Sequence, residues 1–327
     1  MKKIEIGIIG GAGYTAGELI RLLLHHPKTN ITFVYSTSNA GNKVHQVHQD
    51  LIGETEISFT SKINPQVDVL FLCLGHGNST TFLSKNKFSK HTKIIDLSND
   101  FRLLSDKIFE DKEFVYGLPE IQKEAIQKAK YIANPGCFAT ALQMAILPLA
   151  ANNLLTNDIH INAVTGATGA GTSFSKTTHF TWRDNNFSHY KAFTHQHLDE
   201  IHQTVHQLQN NFEGEINFVP NRGNFSRGIF ATTYTKYEGS IATAKELYKA
   251  FYKDASFTVV SDDEIHLKQV VGTNKCLIHL EKHNDKLLIT SILDNLLKGA
   301  SGQAVQNMNL MYGFEETAGL QLKANYF

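Results

Sequence analysis

Cys137 stands where a cysteine could act as a nucleophile. The segment NPGCFATA, residues 134–141, places it between a Pro-Gly turn and a run of residues that predicts a helix. Unpaired backbone N–H groups and the helix dipole favour negative charge at such a position, and the thiolate is the nucleophilic form of cysteine. The alternative is a small buried hydrophobic residue, because most cysteines serve that purpose.

A glycine-rich stretch near the start of the chain, IIGGAGYTAGEL, indicates a site for a dinucleotide. It joins a predicted strand to a predicted helix, where glycines let the backbone approach a pyrophosphate at the helix N-terminus. The spacing Gly10-x-x-Gly13-x-x-Ala16 differs from GxGxxG and agrees with a variant found in NADP-binding folds. We predict that the turn binds the cofactor through Gly10, Gly13, Tyr14, Thr15 and Ala16; a tight turn without a ligand is the alternative.

The end of the second predicted strand favours NADP(H) over NAD. NAD-specific sites carry an acidic residue there, some 20 residues after the glycines, to bind the ribose hydroxyls. This strand ends YSTSNAG, and no Asp or Glu lies between Glu18 and Asp50. The hydroxyl groups of Ser36 and Ser38 would tolerate a 2′-phosphate, so both residues are predicted to bind the cofactor.

The elements that must position these groups are predicted by a change of pattern along the chain. Strand and helix patterns alternate through the first 140 residues, which predicts an α/β, Rossmann-like domain with a parallel sheet. The later runs, including the hairpin CLIHLEKHNDKLLITSIL, predict an α+β domain with a mainly antiparallel sheet. We therefore expect an NADP-binding domain at 1–140 and a substrate and oligomerisation domain at 141–298. The C-terminal helix, about 299–327, is expected to pack back onto the first domain.

Composition excludes several classes of function. The chain of 327 residues is 42% hydrophobic and 19% charged, as expected of a globular protein with two domains. The 31 basic and 31 acidic residues balance, and no basic stripe favours a nucleic-acid partner. No run of 18 apolar residues predicts a membrane span, and no cleavage-site pattern follows the N-terminal apolar run. Three widely spaced cysteines argue against a disulfide framework, favour a cytoplasmic location and show no zinc-site spacing.

Five segments, in order, resemble the N-acetyl-γ-glutamyl-phosphate reductases, relatives of aspartate-semialdehyde dehydrogenase. They are GGAGYTAGEL, DLSNDFRL, VYGLPE, NPGCFATALQMAILPL and DNLLKGASGQAVQNMNLMYGFEETAGL. The resemblance implies that the Cys137 thiolate attacks an acyl phosphate and that NADPH reduces the resulting thioester. The product would be N-acetylglutamate 5-semialdehyde, a small-molecule step of arginine biosynthesis.

The same resemblance assigns an acid/base group. The family's HRHxPEI segment is THQHLDEI here, residues 194–201. This assigns His197 as the acid/base and Glu200 as the residue that orients it. His195 is the competing choice for the acid/base and is otherwise expected to bind substrate. Histidine suits the role because its pKa lies near neutrality.

Four further residues are expected to contact substrate or cofactor, and structural roles are the alternatives for three of them. Arg102, in NDFRL, is expected to hold a substrate phosphate or carboxylate, although an interdomain or surface salt bridge would also explain it. Asn134 is expected to contact substrate. Gly169, in VTGATGAGTSF, is expected near the nicotinamide, unless this is a mobile surface loop. Asn295, in DNLLKGA, is expected to reach the cofactor or to cap the final helix.

Departures from the family pattern concern the substrate. The arginine between the two histidines is Gln196, the proline before the glutamate is Asp199, and the histidine of TPHLxPMxRG is Asn221. LPHG is LGHG at 74–77. An N-succinyl substrate, which bears another carboxylate, would use a rearranged set of cations such as Arg222.

Three other functions are compatible with the same residues. Two keep the reductase chemistry, on a carrier-linked glutamyl phosphate or on the aspartyl substrate, although GYTAGEL and VYGLPE favour the glutamyl branch. The third is a non-catalytic NADP-binding sensor, against which the intact Cys137, His197 and Glu200 argue. The fold type predicts an exposed sheet for self-association, and hence a homodimer or homotetramer.

Overall fold

The alternating patterns of the first 136 residues fold as a parallel sheet covered by helices. The computed structural model describes residues 3–327. Two units are present: the first runs to Gly136 and includes Ala300–Gln321, and the second comprises Cys137–Gly299 and Leu322–Phe327.

The first unit contains a sheet in the order β3-β2-β1-β4-β5-β9-β8, with every pair parallel. Its strands come from short apolar runs such as IEIGII and VLFL, which parallel sheets bury on both faces. The strands, with the separate ribbon β6-β7, are β1 (Ile4–Ile9), β2 (Thr29–Tyr35), β3 (Phe59–Thr60), β4 (Val69–Leu72), β5 (Lys93–Asp96), β6 (Ile108–Phe109), β7 (Lys112–Glu113), β8 (Val115–Tyr116) and β9 (Tyr131–Ala133). The helices are α1 (Tyr14–Leu24), α2 (Asn78–Lys85), α3 (Pro119–Lys128) and, from the C-terminal segment, α8 (Gly302–Tyr312).

The strand order reverses between β1 and β4. From β1 the chain moves to one edge through β2 and β3, then returns to β4 on the other side of β1. In open α/β sheets a ligand binds at this reversal, outside the carboxyl ends of the strands. The glycine turn begins at Gly10, directly after β1, and therefore lies at the reversal.

Polar side chains tie the helix α8 to the rest of the first unit. Ser301 Oγ donates to the Thr15 carbonyl at 2.7 Å, and Tyr312 donates to the Asp68 carbonyl at 2.9 Å. The Asn307 amide donates to the Gly117 carbonyl at 2.9 Å. A segment that follows the second unit in the chain thus belongs to the first unit.

The second unit contains a sheet in the order β11-β12-β10-β13-β16-β15-β14. Its strands are β10 (Ile159–Thr165), β11 (Ser188–His189), β12 (Ile216–Arg222), β13 (Ile229–Lys236), β14 (Thr258–Ser261), β15 (Cys276–His283) and β16 (Lys286–Leu293). Its helices are α4 (Cys137–Ala150), α5 (Phe180–Arg183), α6 (His197–Leu208) and α7 (Ile241–Phe251). Short 3₁₀ turns occur at Val44–Gln46, Gln49–Leu51, Ala167–Ala170 and Leu267–Gln269, and a π-helical turn, Leu297–Ser301, precedes α8.

The predicted fold class is confirmed. The hairpin β15-β16 turns where HNDK predicts it, with His283 opposite Lys286. Two pairs of this sheet, β10-β12 and β14-β15, are parallel. The first results because α6 lies in the connection between β10 and β12, and a crossover of this length allows a parallel pair.

The helix α4 is buried along its length after its first residue. It packs on the central strands β13 and β16. Its sequence, CFATALQMAILPLA, is apolar all round, as expected of a helix buried on every side. Only Cys137, at the N-terminus, is partly exposed.

Two features are absent from residues 3–327, the part of the chain that the structure describes. No helix there has the length and apolar character needed to cross a membrane. Nor do three or more His, Cys, Asp or Glu side chains converge there as metal ligands would.

Candidate active site

The nucleophile candidate, Cys137, begins the helix α4. It follows Asn134-Pro135-Gly136, and no acidic side chain lies in the first helical turn. The first backbone N–H groups of a helix have no intrahelical acceptor, so they stabilise negative charge near this terminus. The side chain is partly exposed, whereas Cys276 is buried. Burial also raises the pKa of the Cys73 thiol, which argues against Cys73 as a thiolate.

Two buried histidines lie beside the residue that follows Cys137. The Phe138 ring meets His195 edge-on at a centroid distance of 5.4 Å and His197 at 6.4 Å. The two imidazoles are 4.6 Å apart, and both are at most 6% exposed. The structure therefore brings both predicted histidines to the start of α4.

The His195 ring is held in its neutral form. Burial, helped by the charge of Lys191, lowers the pKa of His195 to about 4, so this ring is neutral at pH 7. Its Nδ1 accepts a hydrogen bond from the His197 backbone N–H at 3.2 Å. The proton of neutral His195 must then be on Nε2, which makes the outer nitrogen a donor.

Glu200 lies one turn along α6 from His197. Residues three apart on a helix share a face, so the two side chains point the same way. The Glu200 side chain is buried, with only 2% of the residue exposed. Asp199, which replaces a proline of the family pattern, is exposed and faces away from this pair.

Tyr190 is a member of the site that the sequence analysis missed. Burial and the negative charge of the Cys137 thiolate raise the pKa of Tyr190 to about 12. Its ring lies 5.8 Å from that of His195. Tyr190 therefore connects the nucleophile electrostatically to the histidine pair. It occurs in an irregular stretch, FSHYKAF, which has no periodicity or motif that could have identified it.

Two arginines complete this part of the second unit. The Arg222 guanidinium stacks on the Tyr190 ring at 4.7 Å, and its Nε is buried without a hydrogen-bond partner among residues 3–327. Arg183 donates to the carbonyls of Arg222, at 2.7 Å, and Thr177. Burial and the charge of Arg222 lower the pKa of Arg183. Within the described residues neither guanidinium forms an ion pair with a carboxylate.

Asn295 joins two loops of the second unit, beside the 3₁₀ turn that contains Gly169. Asn295 Oδ1 accepts from the Gly228 backbone N–H at 2.7 Å, and its Nδ2 donates to Thr168 Oγ1 at 3.1 Å. The amide thus holds two loops and does not cap α8. Gly169 is exposed in the adjacent 3₁₀ turn, where the backbone is open to a ligand.

Arg102 and Asn134 lie in the first unit. Arg102 is buried and donates through Nε to the Asn134 carbonyl at 2.8 Å and through NH2 to the Leu97 carbonyl at 3.1 Å. The Asn134 amide donates to the Ala300 carbonyl and accepts from Asn307, each at 3.1 Å. Both side chains therefore fix the backbone that leads into the Pro-Gly segment.

The glycine turn of the first unit fits a dinucleotide. Gly10 has φ of +77°, and a Cβ there would lie 2.5 Å from the Cys73 carbonyl oxygen, so only glycine fits. Gly13 caps α1, and nothing lies within 4 Å of where its Cβ would be. No side chain caps the helix and no acid lies in its first turn. Tyr14 is exposed and Ala16 is fully buried, so the helix N-terminus is free to receive a phosphate.

The end of β2 carries uncharged groups. Ser36 is buried and Ser38 is exposed, and the Asn39 amide donates to Ser36 Oγ at 3.2 Å and to Ser38 Oγ at 3.1 Å. This cluster offers hydroxyls and an amide where NAD-specific sites carry a carboxylate.

Family models match both units. Residues 5–129 match the NAD binding domain of semialdehyde dehydrogenases, and residues 137–295 match their dimerisation domain. The chain is 68% identical to an N-acetyl-gamma-glutamyl-phosphate reductase of Christiangramia forsetii and 62% identical to one of Flavobacterium johnsoniae. Each alignment covers 99% of this chain and 100% of the relative.

A solved structure shares the fold. Aspartate semialdehyde dehydrogenase II of Vibrio cholerae superposes with a TM-score of 0.73 at 15% identity. The match covers 96% of this chain and 99% of the other.

Proposed function

This chain belongs to the N-acetyl-γ-glutamyl-phosphate reductase family, and we propose that it reduces N-acetyl-γ-glutamyl phosphate with NADPH. The products are N-acetylglutamate 5-semialdehyde and inorganic phosphate, in the reductive step of arginine biosynthesis. The observation that carries the proposal is Cys137 at the N-terminus of α4, with two buried histidines beside the next residue.

The first half of the reaction is acyl transfer to sulfur. The Cys137 thiolate attacks the γ-carbonyl carbon, the C–O bond to phosphate breaks, and phosphate leaves with the electron pair. The N-terminus of α4 supports the thiolate before attack. On this proposal His195, with its proton on Nε2, donates a hydrogen bond to the carbonyl oxygen as negative charge develops there; the His197 N–H bond to Nδ1 supports this assignment.

The second half is reduction of the thioester. When bound, a nicotinamide cofactor would supply the hydride that reduces the thioester carbonyl. His197 donates a proton to the alkoxide oxygen of the reduced adduct, which forms the thiohemiacetal. It takes the proton back as the C–S bond breaks, which releases the aldehyde and regenerates the thiolate. Glu200 orients His197 from the same face of α6.

NADP(H) is the proposed cofactor. The glycine turn and the open N-terminus of α1 suit a pyrophosphate, with Gly10, Gly13, Tyr14, Thr15 and Ala16 as its surroundings. The neutral Ser36 and Ser38 support a 2′-phosphate because no carboxylate would repel it. On the same proposal Gly169 and Asn295 lie near the nicotinamide, and Arg102 and Asn134 near the substrate.

The reverse reaction tests the proposal. NADP⁺ reduction by N-acetylglutamate 5-semialdehyde is followed with and without inorganic phosphate, for wild type and Cys137→Ser. With phosphate we expect steady turnover; without it, one NADPH per active site should form and then stop, because the thioester cannot be released. NAD⁺ should react more slowly. Turnover that ignores phosphate or survives Cys137→Ser would refute the thioester mechanism, and cofactor binding without any turnover would favour the sensor.

A second candidate substrate is favoured by Arg222. The phosphate and α-carboxylate occur in the acetyl substrate too, so an additional cation suits an additional substrate charge. Arg222 stands where the family motif TPHLxPMxRG has leucine, and within the described residues it forms no ion pair. An N-acyl group that ends in a carboxylate, as in N-succinylglutamyl phosphate, would satisfy it.

The choice of acyl group is tested by comparing the N-acetyl and N-succinyl semialdehydes with wild type and Arg222→Leu. If Arg222 binds the acyl carboxylate, wild type prefers the succinyl substrate, and the variant loses roughly 10- to 100-fold in kcat/KM for that substrate alone, as expected for a charge-assisted hydrogen bond. An equal loss with both substrates would assign Arg222 to a shared group such as the α-carboxylate. Activity with neither would favour a carrier-linked substrate.

The second unit is proposed to associate with its copy as a homodimer or homotetramer. The match to a dimerisation domain supports this, and so does a sheet face with the stacked pair His160 and Tyr234, the latter 42% exposed. A cytoplasmic location is proposed because Cys73, Cys137 and Cys276 form no disulfide.

A further inference from the structure

The π-helical turn Leu297–Ser301 brings a glycine against the nucleophile candidate. A Cβ at Gly299 would lie 2.8 Å from the Cβ of Cys137 and 3.2 Å from its Cα. Real Cβ atoms are essentially never closer than 3.0 Å to such neighbours, so no other residue fits without movement. π-Helical turns are rare and occur frequently at functional sites.

Asp294 holds this turn in place. The carboxylate is fully buried, and its Oδ1 accepts from the backbone N–H groups of Leu296 at 2.8 Å and Leu297 at 3.2 Å. Arg227 donates to both carboxylate oxygens, with Nε 3.1 Å from Oδ2 and NH2 3.0 Å from Oδ1. The Asp294 carbonyl accepts from the Gly299 N–H at 2.9 Å. A single residue therefore fixes both the start of the turn and Gly299.

Asn295 extends the attachment to the glycine-rich loop. Its amide bonds Gly228 and Thr168, and Thr168 Oγ1 in turn donates to the Ser226 carbonyl at 2.6 Å. We call Arg227, Asp294 and Asn295 the clasp. All its partners named here lie within the second unit, the unit that contains Cys137.

We propose that Gly299, held by the clasp, is a positioning residue for Cys137. The contact is with the Cβ of Cys137. The sulfur is bonded directly to this Cβ, and rotation about the Cα–Cβ bond sets its direction. A side chain at 299 would therefore displace the sulfur or rotate it. Acyl transfer needs the sulfur about 3–3.5 Å from the carbonyl carbon, and an error of about 1 Å can cost roughly 100-fold in rate.

The proposal rests on the proposed thioester chemistry, and two reactions of the same sulfur separate the two claims. Acylation by N-acyl-γ-glutamyl phosphate, measured as phosphate release without cofactor, needs an oriented sulfur. Alkylation by iodoacetamide needs only an accessible thiolate. A positioning residue should affect the first far more than the second, whereas general damage to the site should affect both.

The variant Gly299→Ala is compared with wild type and with Gly239→Ala, a control in the same unit whose Cβ would have the Tyr237 side chain as its nearest neighbour. We expect acylation by Gly299→Ala to fall about 10- to 100-fold, with alkylation within about threefold and KM little changed. The control should acylate at the wild-type rate. Acylation of Gly299→Ala within threefold of wild type, or a parallel fall in both reactions, would overturn the proposal. Failure of wild type to be acylated would refute the proposed function instead.

A second variant covers the case in which Gly299→Ala does not fold. Thr168→Val keeps the side-chain volume but removes the hydroxyl that accepts from Asn295. Loosening the clasp from its far end should slow acylation about 3- to 10-fold, in line with one lost hydrogen bond, and leave alkylation unchanged. Wild-type acylation by this variant would show that the clasp does not position the nucleophile.

Discussion

Gly13 of the first unit and Gly299 of the second lie in opposite surroundings. In the first unit, Gly13 has nothing within 4 Å of its missing side chain and caps the open N-terminus of α1. In the second unit, Gly299 has the Cβ of Cys137 at 2.8 Å from where its own would be. Gly13 leaves space for a ligand. Gly299 allows the backbone to approach a reacting residue closely.

The difference corresponds to what each unit must do. A cofactor binds and leaves, so its site needs room and exposed N–H groups. A nucleophile stays, so its site needs a fixed direction and close neighbours. Alanine at Gly13 should therefore affect cofactor binding, and alanine at Gly299 should affect the chemistry.

The largest loss of activity is expected at the proposed acid/base residue of the second unit. His197→Asn should lower kcat by about 100- to 10,000-fold, since proton transfer by a positioned side chain contributes that much. The control is His206→Asn, an exposed histidine of the same helix, which should keep wild-type kcat. Steady-state kinetics at pH 7.5 measure kcat for both variants and wild type. Full activity of His197→Asn would assign the role to His195, the competing choice.

Next in size is the pair Gly10→Ala and Gly13→Ala in the first unit. Gly10→Ala combines a positive φ with a collision against the Cys73 carbonyl and should cost roughly 3 kcal/mol of stability. Gly13 has an extended conformation, with φ of −81°, which alanine also adopts. Alanine there should therefore change stability by less than about 1 kcal/mol.

The same pair separates folding from binding. Gly13→Ala should still weaken NADP(H) binding several-fold, because its methyl group enters the open space. Thermal unfolding and cofactor titration of both variants give the two readouts. If Gly13→Ala bound the cofactor as wild type does, the open space would not be the pyrophosphate site.

An effect that appears only at acid pH is expected on stability. The folded pKa of His195, about 4, lies below its unfolded value of about 6.5. Below pH 6.5 the folded protein therefore binds fewer protons than the unfolded chain. The contribution of His195 to the free energy of unfolding is complete above pH 6.5 and is lost as the pH falls toward 4. The loss should reach roughly 3 kcal/mol.

Urea unfolding of wild type and His195→Gln between pH 7.5 and pH 4 measures this contribution. The difference between the two proteins should shrink as the pH falls, because other groups titrate equally in both. A constant difference would show that His195 is not held neutral by its surroundings.

Much of this arrangement follows from local sequence patterns. Apolar runs predict the strands of the first sheet, and the glycines after β1 predict the turn at the strand reversal, because both depend on neighbours in the chain. Cys137 is identified by the Pro-Gly turn before it, and HNDK places the hairpin. The acid/base pair, by contrast, comes from the resemblance to a family, since nothing local distinguishes His197 from the other histidines.

The rest depends on contacts between distant parts of the chain. Tyr190 matters because it stacks against Arg222 and its pKa responds to the charge of Cys137. Arg183 matters because it donates to the Arg222 carbonyl. Gly299 is 162 positions from Cys137, and its lack of a side chain is significant only because of where that residue lies. The parallel pair β14-β15 likewise depends on a crossover that periodicity does not reveal.

The central claim is that Cys137 carries the acyl group during the reaction. Wild type mixed with N-acyl-γ-glutamyl phosphate in the absence of cofactor, quenched in acid and analysed by peptide mass spectrometry, tests it directly. We expect an acyl adduct on the Cys137 peptide that hydroxylamine removes and that is absent from Cys137→Ser. Turnover with NADPH but no adduct at Cys137, or the same adduct in Cys137→Ser, would contradict it.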